Sequence, residues 1–206
     1  MIGPSPTQAR DRAASLARSD PSAALTLARE IDDPWFACQA LAWVGRFWPG
    51  DDFETVINEA TEIGRKCSEP YLVVASAAWP VRALIERGAS SQTSTIVLLL
   101  LVLANEIASL ASRSEALFLL FQATKPGMQT YWLPVLEELM KASFPTLHWR
   151  QSRNLSEAIL IVAAEDSTLA NDILHRLPEG KLRTQIEKRL NTLDPTIIRL
   201  RVFFWK

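Results

Sequence analysis

Glycine is scarce in this chain, with seven residues in 206, and histidine, cysteine and tyrosine number only two each. None of the glycines forms a glycine-rich turn running into a helix, so the phosphate cradles built on such turns are excluded. Metal ligation requires His, Cys or carboxylates clustered at loop or helical spacing. His148 and His175 stand 27 positions apart (175 − 148), and neither joins a cysteine or carboxylate in a ligand motif. No metal site and no cofactor are expected. Cys38 and Cys67 lack CxxC spacing and read as buried, reduced thiols rather than nucleophiles.

The chain also lacks charge of one sign. A net charge of −1 and a pI near 6.2 remove the basic footprint that dominates nucleic-acid affinity, so no nucleic-acid partner is expected. The opening MIGPSPTQARDR has no apolar segment behind a positive one, which argues against a secretory leader and for a cytoplasmic protein. No apolar run is long: Ile96 to Ala104 is about half of the roughly 20 residues that span a bilayer, so no membrane partner is expected and the run reads as a buried helix.

What the chain does have is recurrence. In the stretch 20–46, Asp20 caps and Pro21 opens a helix to Ile31, and Asp33 with Pro34 starts a second one at once. The end of the first helix, LAREI at 27–31, returns as EATEI at 59–63, LANEI at 103–107 and LANDI at 169–173, with a looser VLEEL at 135–139. The closing aliphatics Ile31, Ile63, Ile107, Leu139 and Ile173 give steps of 32, 44, 32 and 34 by subtraction, mostly near the period of helix-pair repeats. Pro34, Trp43 and Arg46 become Pro70, Trp79 and Arg82 at a constant offset of 36, so the second helices repeat a face as well.

The pattern predicts an all-α chain of about five antiparallel helix pairs in one domain, at 20–50, 51–88, 89–126, 127–164 and 165–193, preceded by a capping helix at 7–18. The helix from Asp51 to Lys66 has one apolar stripe, whereas those from Pro34 to Trp48 and Pro70 to Arg87 are apolar almost all round and need cover on several sides. Pro80 should kink the latter. The 44-residue step implies that the third pair carries an extension of roughly three turns, with a long helix to about Leu110 and a short one from a Ser114 cap to Thr124, interrupting the array near its middle. Pro145 closes the helix before 147–164, whose first half is polar and basic. The tail 194–206, DPTIIRLRVFFWK, breaks the pattern; it reads as a strip docked on the last pair or as an exposed hook for another chain, a second copy in a homo-oligomer included, or for a membrane surface.

Acidic neighbours such as Asp32–Asp33, Asp51–Asp52, Glu137–Glu138 and Glu165–Asp166 sit mostly where helices start, and read as caps rather than as an acid and a base. Glu30, Glu62, Glu106 and Asp172 fall near helix C-termini, where the dipole disfavours them, so a compensating cation is expected. By repeat logic Arg46 and Arg82 are the candidates, in an internal ladder of ion pairs. Alternatively Trp43, Arg46, Trp79 and Arg82 line a binding groove.

The runs ALxLAxEI, DPWxxxxALAWVGRFWPG and DDFETVINEA resemble the helix-pair repeats of bacterial TPR-like or HEAT-like superhelices, especially arrays found beside signal-transduction ATPase domains. The resemblance is strong over about 20–88 and weaker afterwards. It implies a right-handed α/α superhelix (solenoid) used for recognition, with no catalytic residue to carry over. The function that follows is a non-enzymatic scaffold for a protein or peptide partner, with Trp43, Arg46, Trp79 and Arg82 as its binding residues. The rivals are a small-ligand or catalytic pocket near the middle using Glu86, His148 or Arg150, and a self-assembling unit using the aromatic tail.

Overall fold

The computed structural model describes residues 4–144 and 148–192. Among them all regular structure is helical, in eleven helices: α1 Pro6–Leu16, α2 Pro21–Arg29, α3 Pro34–Phe47, α4 Phe53–Gly64, α5 Pro70–Glu86, α6 Ser90–Asn105, α7 Leu110–Thr124, α8 Gln129–Ser143, α9 Trp149–Ala163, α10 Ser167–His175 and α11 Lys181–Asn191. The tail 194–206 and Pro145 lie outside the described residues.

Local chemistry sets most of the boundaries. Four helices open on proline, which gives up a backbone donor that the first turn leaves unpaired anyway. Asp20 accepts from the Ala23 amide and Asp33 from those of Trp35 and Phe36, as side-chain caps do. At the far end of α5, Gly88 takes φ +75° while the Gly88 amide bonds the Ile85 carbonyl and the Ala89 amide bonds that of Leu84. That is a Schellman stop, and glycine is there because other residues resist the left-handed backbone. The α5 helix itself continues through Pro80 without a break.

The helices sort into two rows. Each odd-numbered helix packs on the next odd one, from α1 to α11, and each even-numbered helix lies against the two odd helices that flank it in the chain. No described helix packs against one more than two places away. The odd row supplies the core: Val74 to Pro80 of α5 are all buried, because α3, α4, α6 and α7 surround them. Toward the N-terminus the core is built largely from alanine, with Ala13, Ala17, Ala24, Ala28, Ala37, Ala40 and Ala60 fully or almost fully buried. Beyond Trp43, which packs on both halves, leucine, isoleucine and aromatic residues take over.

Two expectations need correcting. The boundary between α6 and α7 lies at 106–109, because Ser109 caps α7 through the Ser112 amide and Arg113 reaches back to the carbonyls of Asn105 and Ile107. Ser114, expected as the cap, is buried mid-helix and accepts from Asn154 Nδ2 at 3.3 Å. There is no three-turn extension of α6; α5 and α6, at 17 and 16 residues against 14 and 12 for α3 and α4, supply only part of the long step, and the rest comes from Ile107 lying past α6 while Ile63 lies inside α4, and from the connections. Second, the run 96–104 is only half buried. Ile96, Val97, Leu100 and Ala104 face inward, while Leu98, Leu99 and Val102 are 62%, 47% and 64% exposed; among the described helices only α5, α7 and α8 pack on α6.

Candidate functional site

Trp43, Arg46 and Phe47 share one face of α3 at three- and four-residue spacing, and Trp79, Arg82 and Glu86 share a face of α5. Because α3 and α5 are adjacent in the odd row, those faces meet. Arg46 Nε donates to Glu86 Oε2 and Arg82 Nε to Glu86 Oε1, both at 2.6 Å, so one carboxylate clamps two guanidinium groups. All three side chains are between 21% and 26% exposed, which shields the pairs partly from solvent. Arg46 also lies over the Phe47 ring at 4.9 Å and the Trp43 ring at 5.6 Å, and Trp43 stacks on Phe47 with centroids 6.1 Å apart. Arg18, just past α1, also lies over the Phe47 ring at 5.7 Å. Trp43, Arg46, Phe47, Arg82 and Glu86 thus form one aromatic and cationic cluster, and the structure places Trp79 buried on α5 one turn before Arg82.

The compensation expected for the recurring acids takes a different form. Glu30 and Glu106 are exposed C-caps, Asp172 is exposed, and Glu62 pairs with Arg65 on its own helical side at 3.0 Å. These acids belong to the even row, whereas Arg46 and Arg82 stand in the odd one. Other residues make the rungs. In the even row Arg29 joins Glu59, Gln92 joins Asn58, the Tyr131 hydroxyl donates to the Ser90 carbonyl, and Arg176 joins Glu137. In the odd row Arg10 joins Gln39, Arg46 joins Glu86, Asn154 joins Ser114, and Arg189 joins Glu157.

The residues expected of a pocket near the middle do not converge. Glu86 is held in the α3–α5 clamp, His148 caps α9 by accepting the Arg150 amide on Nδ1, and Arg150 lies 5.4 Å from the Trp149 ring. The cavity at the middle, about 380 Å³ between the end of α5 and the starts of α6 and α8, is lined by Ile85, Thr93, Tyr131 and their neighbours and contains none of the three. Among the described residues no cluster of three His, Cys, Asp or Glu could hold a metal ion, and no helix is long and apolar enough to cross a membrane. Burial pushes the Cys38 thiol up to about 12 while its Sγ donates to the Ser76 carbonyl, and burial raises the Cys67 thiol as well. Neither is poised as a thiolate nucleophile. Comparison with family models, with curated proteins and with solved structures finds no match to this chain.

Proposed function

We propose that the chain is a non-enzymatic scaffold that binds a protein or peptide, and that its helix pairs form a right-handed α/α superhelix. The observation that carries this reading is the unbroken packing of α1, α3, α5, α7, α9 and α11, each on the next, with the even helices set against them. Such a row offers a continuous surface longer than any single helix face, which suits an extended partner better than a small substrate. Rungs that join residues about one repeat apart in each row support the same arrangement.

The binding residues proposed are Trp43, Arg46, Trp79 and Arg82, at the α3–α5 crossing. Aromatic and arginine side chains dominate the energetics of protein interfaces, because they bring large area and fixed donors. Here the guanidinium groups are already oriented by Glu86, so less side-chain entropy is lost on binding. The test is affinity capture from native lysate with the wild-type chain and with an Arg46→Glu, Arg82→Glu variant, followed by titration of the purified partner. A partner held by wild type and lost by a folded variant supports the site; equal affinity for both refutes it.

A further inference from the structure

A second surface lies at the opposite end of the odd row. Between α9 and α11 runs an open cleft of about 640 Å³, with Trp149 and Arg153 on one wall and Lys181, Gln185, Lys188 and Arg189 on the other. The α9 residues are four apart, and the α11 residues follow at four, three and one, so each set is one helical stripe and the two stripes face each other. Among the described residues no carboxylate lines the cleft. Arg189 is engaged by Glu157 at 2.8 Å, and Glu187 is taken up by Arg183 at 3.0 Å, which leaves Arg153, Lys181 and Lys188 without an ion pair among the described residues. Trp149 is 60% exposed, and the guanidinium groups of Arg150 and Arg153 stand 5.4 Å and 5.3 Å from its ring. An indole this exposed beside a cationic cleft is a surface that a partner's large apolar side chain can cover.

We propose that this cleft docks an acidic peptide segment carrying one large apolar side chain, whose carboxylates meet Arg153, Lys181 and Lys188 while the apolar group covers Trp149. The layout of the cations favours a chain over a compact anion. Lys181 and Lys188 are seven residues apart on one helix, roughly 10 Å, a length that about three residues of extended peptide span. Their charges are strung along a line and do not converge on one point, as a single phosphate would require. Nucleic acid is disfavoured because the whole chain is slightly acidic, and a long polyanion would meet that field outside the cleft. The site is remote from the α3–α5 cluster in the chain and uses none of its residues, so either reading can fail alone.

The experiment is fluorescence anisotropy of the full chain with a labelled peptide of aspartate and glutamate with one central phenylalanine. Saturable binding is expected, weakened about tenfold by Lys181→Glu with Lys188→Glu and several-fold by Trp149→Ala, and falling with added salt. The lysines and Trp149 are exposed, so thermal melts of these variants should match wild type. Arg46→Glu with Arg82→Glu should leave this binding unchanged. The proposal is overturned if the peptide does not saturate, if the lysine variant binds equally well, or if a peptide without phenylalanine binds as tightly as one with it. Displacement of the peptide by inorganic triphosphate or duplex DNA at lower concentration than by unlabelled peptide would also overturn it.

Discussion

Replacing Gly45 by alanine should destabilise the fold, although it puts a better helix former in the last turn of α3. An alanine Cβ at this position would stand 2.4 Å from Ile57 Cγ1, 3.3 Å from its Cδ1 and 3.5 Å from its backbone nitrogen. The nearest atom is not a flexible tip. Cγ1 is fixed by a χ1 that a β-branched residue in a helix hardly varies, and Ile57 is fully buried. Either α4 must move away from α3 or Ile57 must leave its rotamer. Overpacking of this severity costs about 3 kcal/mol, against a helix-propensity gain of about 1 kcal/mol. The net loss, about 2 kcal/mol, corresponds to a melting point lower by roughly 4–8 °C in a chain of this size. The assay is urea unfolding followed by circular dichroism, on a double-mutant cycle with Ile57→Ala. Ile57→Ala alone should cost about 3–4 kcal/mol, and in the Gly45→Ala background about 2 kcal/mol less, because it removes the clashing atom. A Gly45→Ala chain as stable as wild type, or a cycle that is additive, would refute the close approach of α3 and α4.

Glu86→Ala should cost about 1 kcal/mol by urea unfolding, since it leaves Arg46 and Arg82 facing each other, and Arg46→Ala in that background should cost less than in wild type. Asp33→Ala removes the acceptor of the Trp35 and Phe36 amides and should lower stability by about 1 kcal/mol in the same assay, with Asp33→Asn retaining most of it. The Cys38 thiol is raised from 9.0 to about 12, so the fold favours its protonated form: its contribution to stability is full below pH 9 and is lost between about 9 and 12, where the unfolded chain has released the proton. Cys38→Ala should therefore flatten the fall in stability over that window by up to about 1.4 kcal/mol per pH unit, measured by unfolding at stepped pH. Leu98→Gln with Val102→Gln should leave the melting point nearly unchanged, because both side chains face solvent; a drop of several degrees would place them in the core.

The parts of the fold legible in the sequence are those decided by neighbouring residues. Asp20–Pro21 and Asp33–Pro34 mark starts because the cap and the proline act within one turn. The α6–α7 boundary was not legible, since apolar residues continue through Ile107 and Leu110 and the carbonyls that end α6 are satisfied by Arg113 from the next helix. The recurring aliphatic residues also differ in structural position: Ile31 and Ile107 fall just past their helices, whereas Ile63 and Ile173 lie inside theirs. Apolarity all round α6 suggested burial, but only the number of packed neighbours decides that. In the candidate site, the shared face of Trp43, Arg46, Trp79 and Arg82 follows from the offset of 36, while the choice of Glu86 as clamp depends on a contact 40 residues away in sequence. The cations of the α9–α11 cleft read individually as a wetted helix face; the basic first half of 147–164 was the one local sign of it.

That no described helix touches one more than two places along has a mechanical corollary. Nothing among these helices ties α1 to α11 directly, so a pull or twist on one end reaches the other only by passing through every intervening crossing. Each crossing yields a little, and the compliances add as in springs joined in series. Such a body can lengthen or tighten without unfolding any one helix, and its stiffness falls as pairs are added.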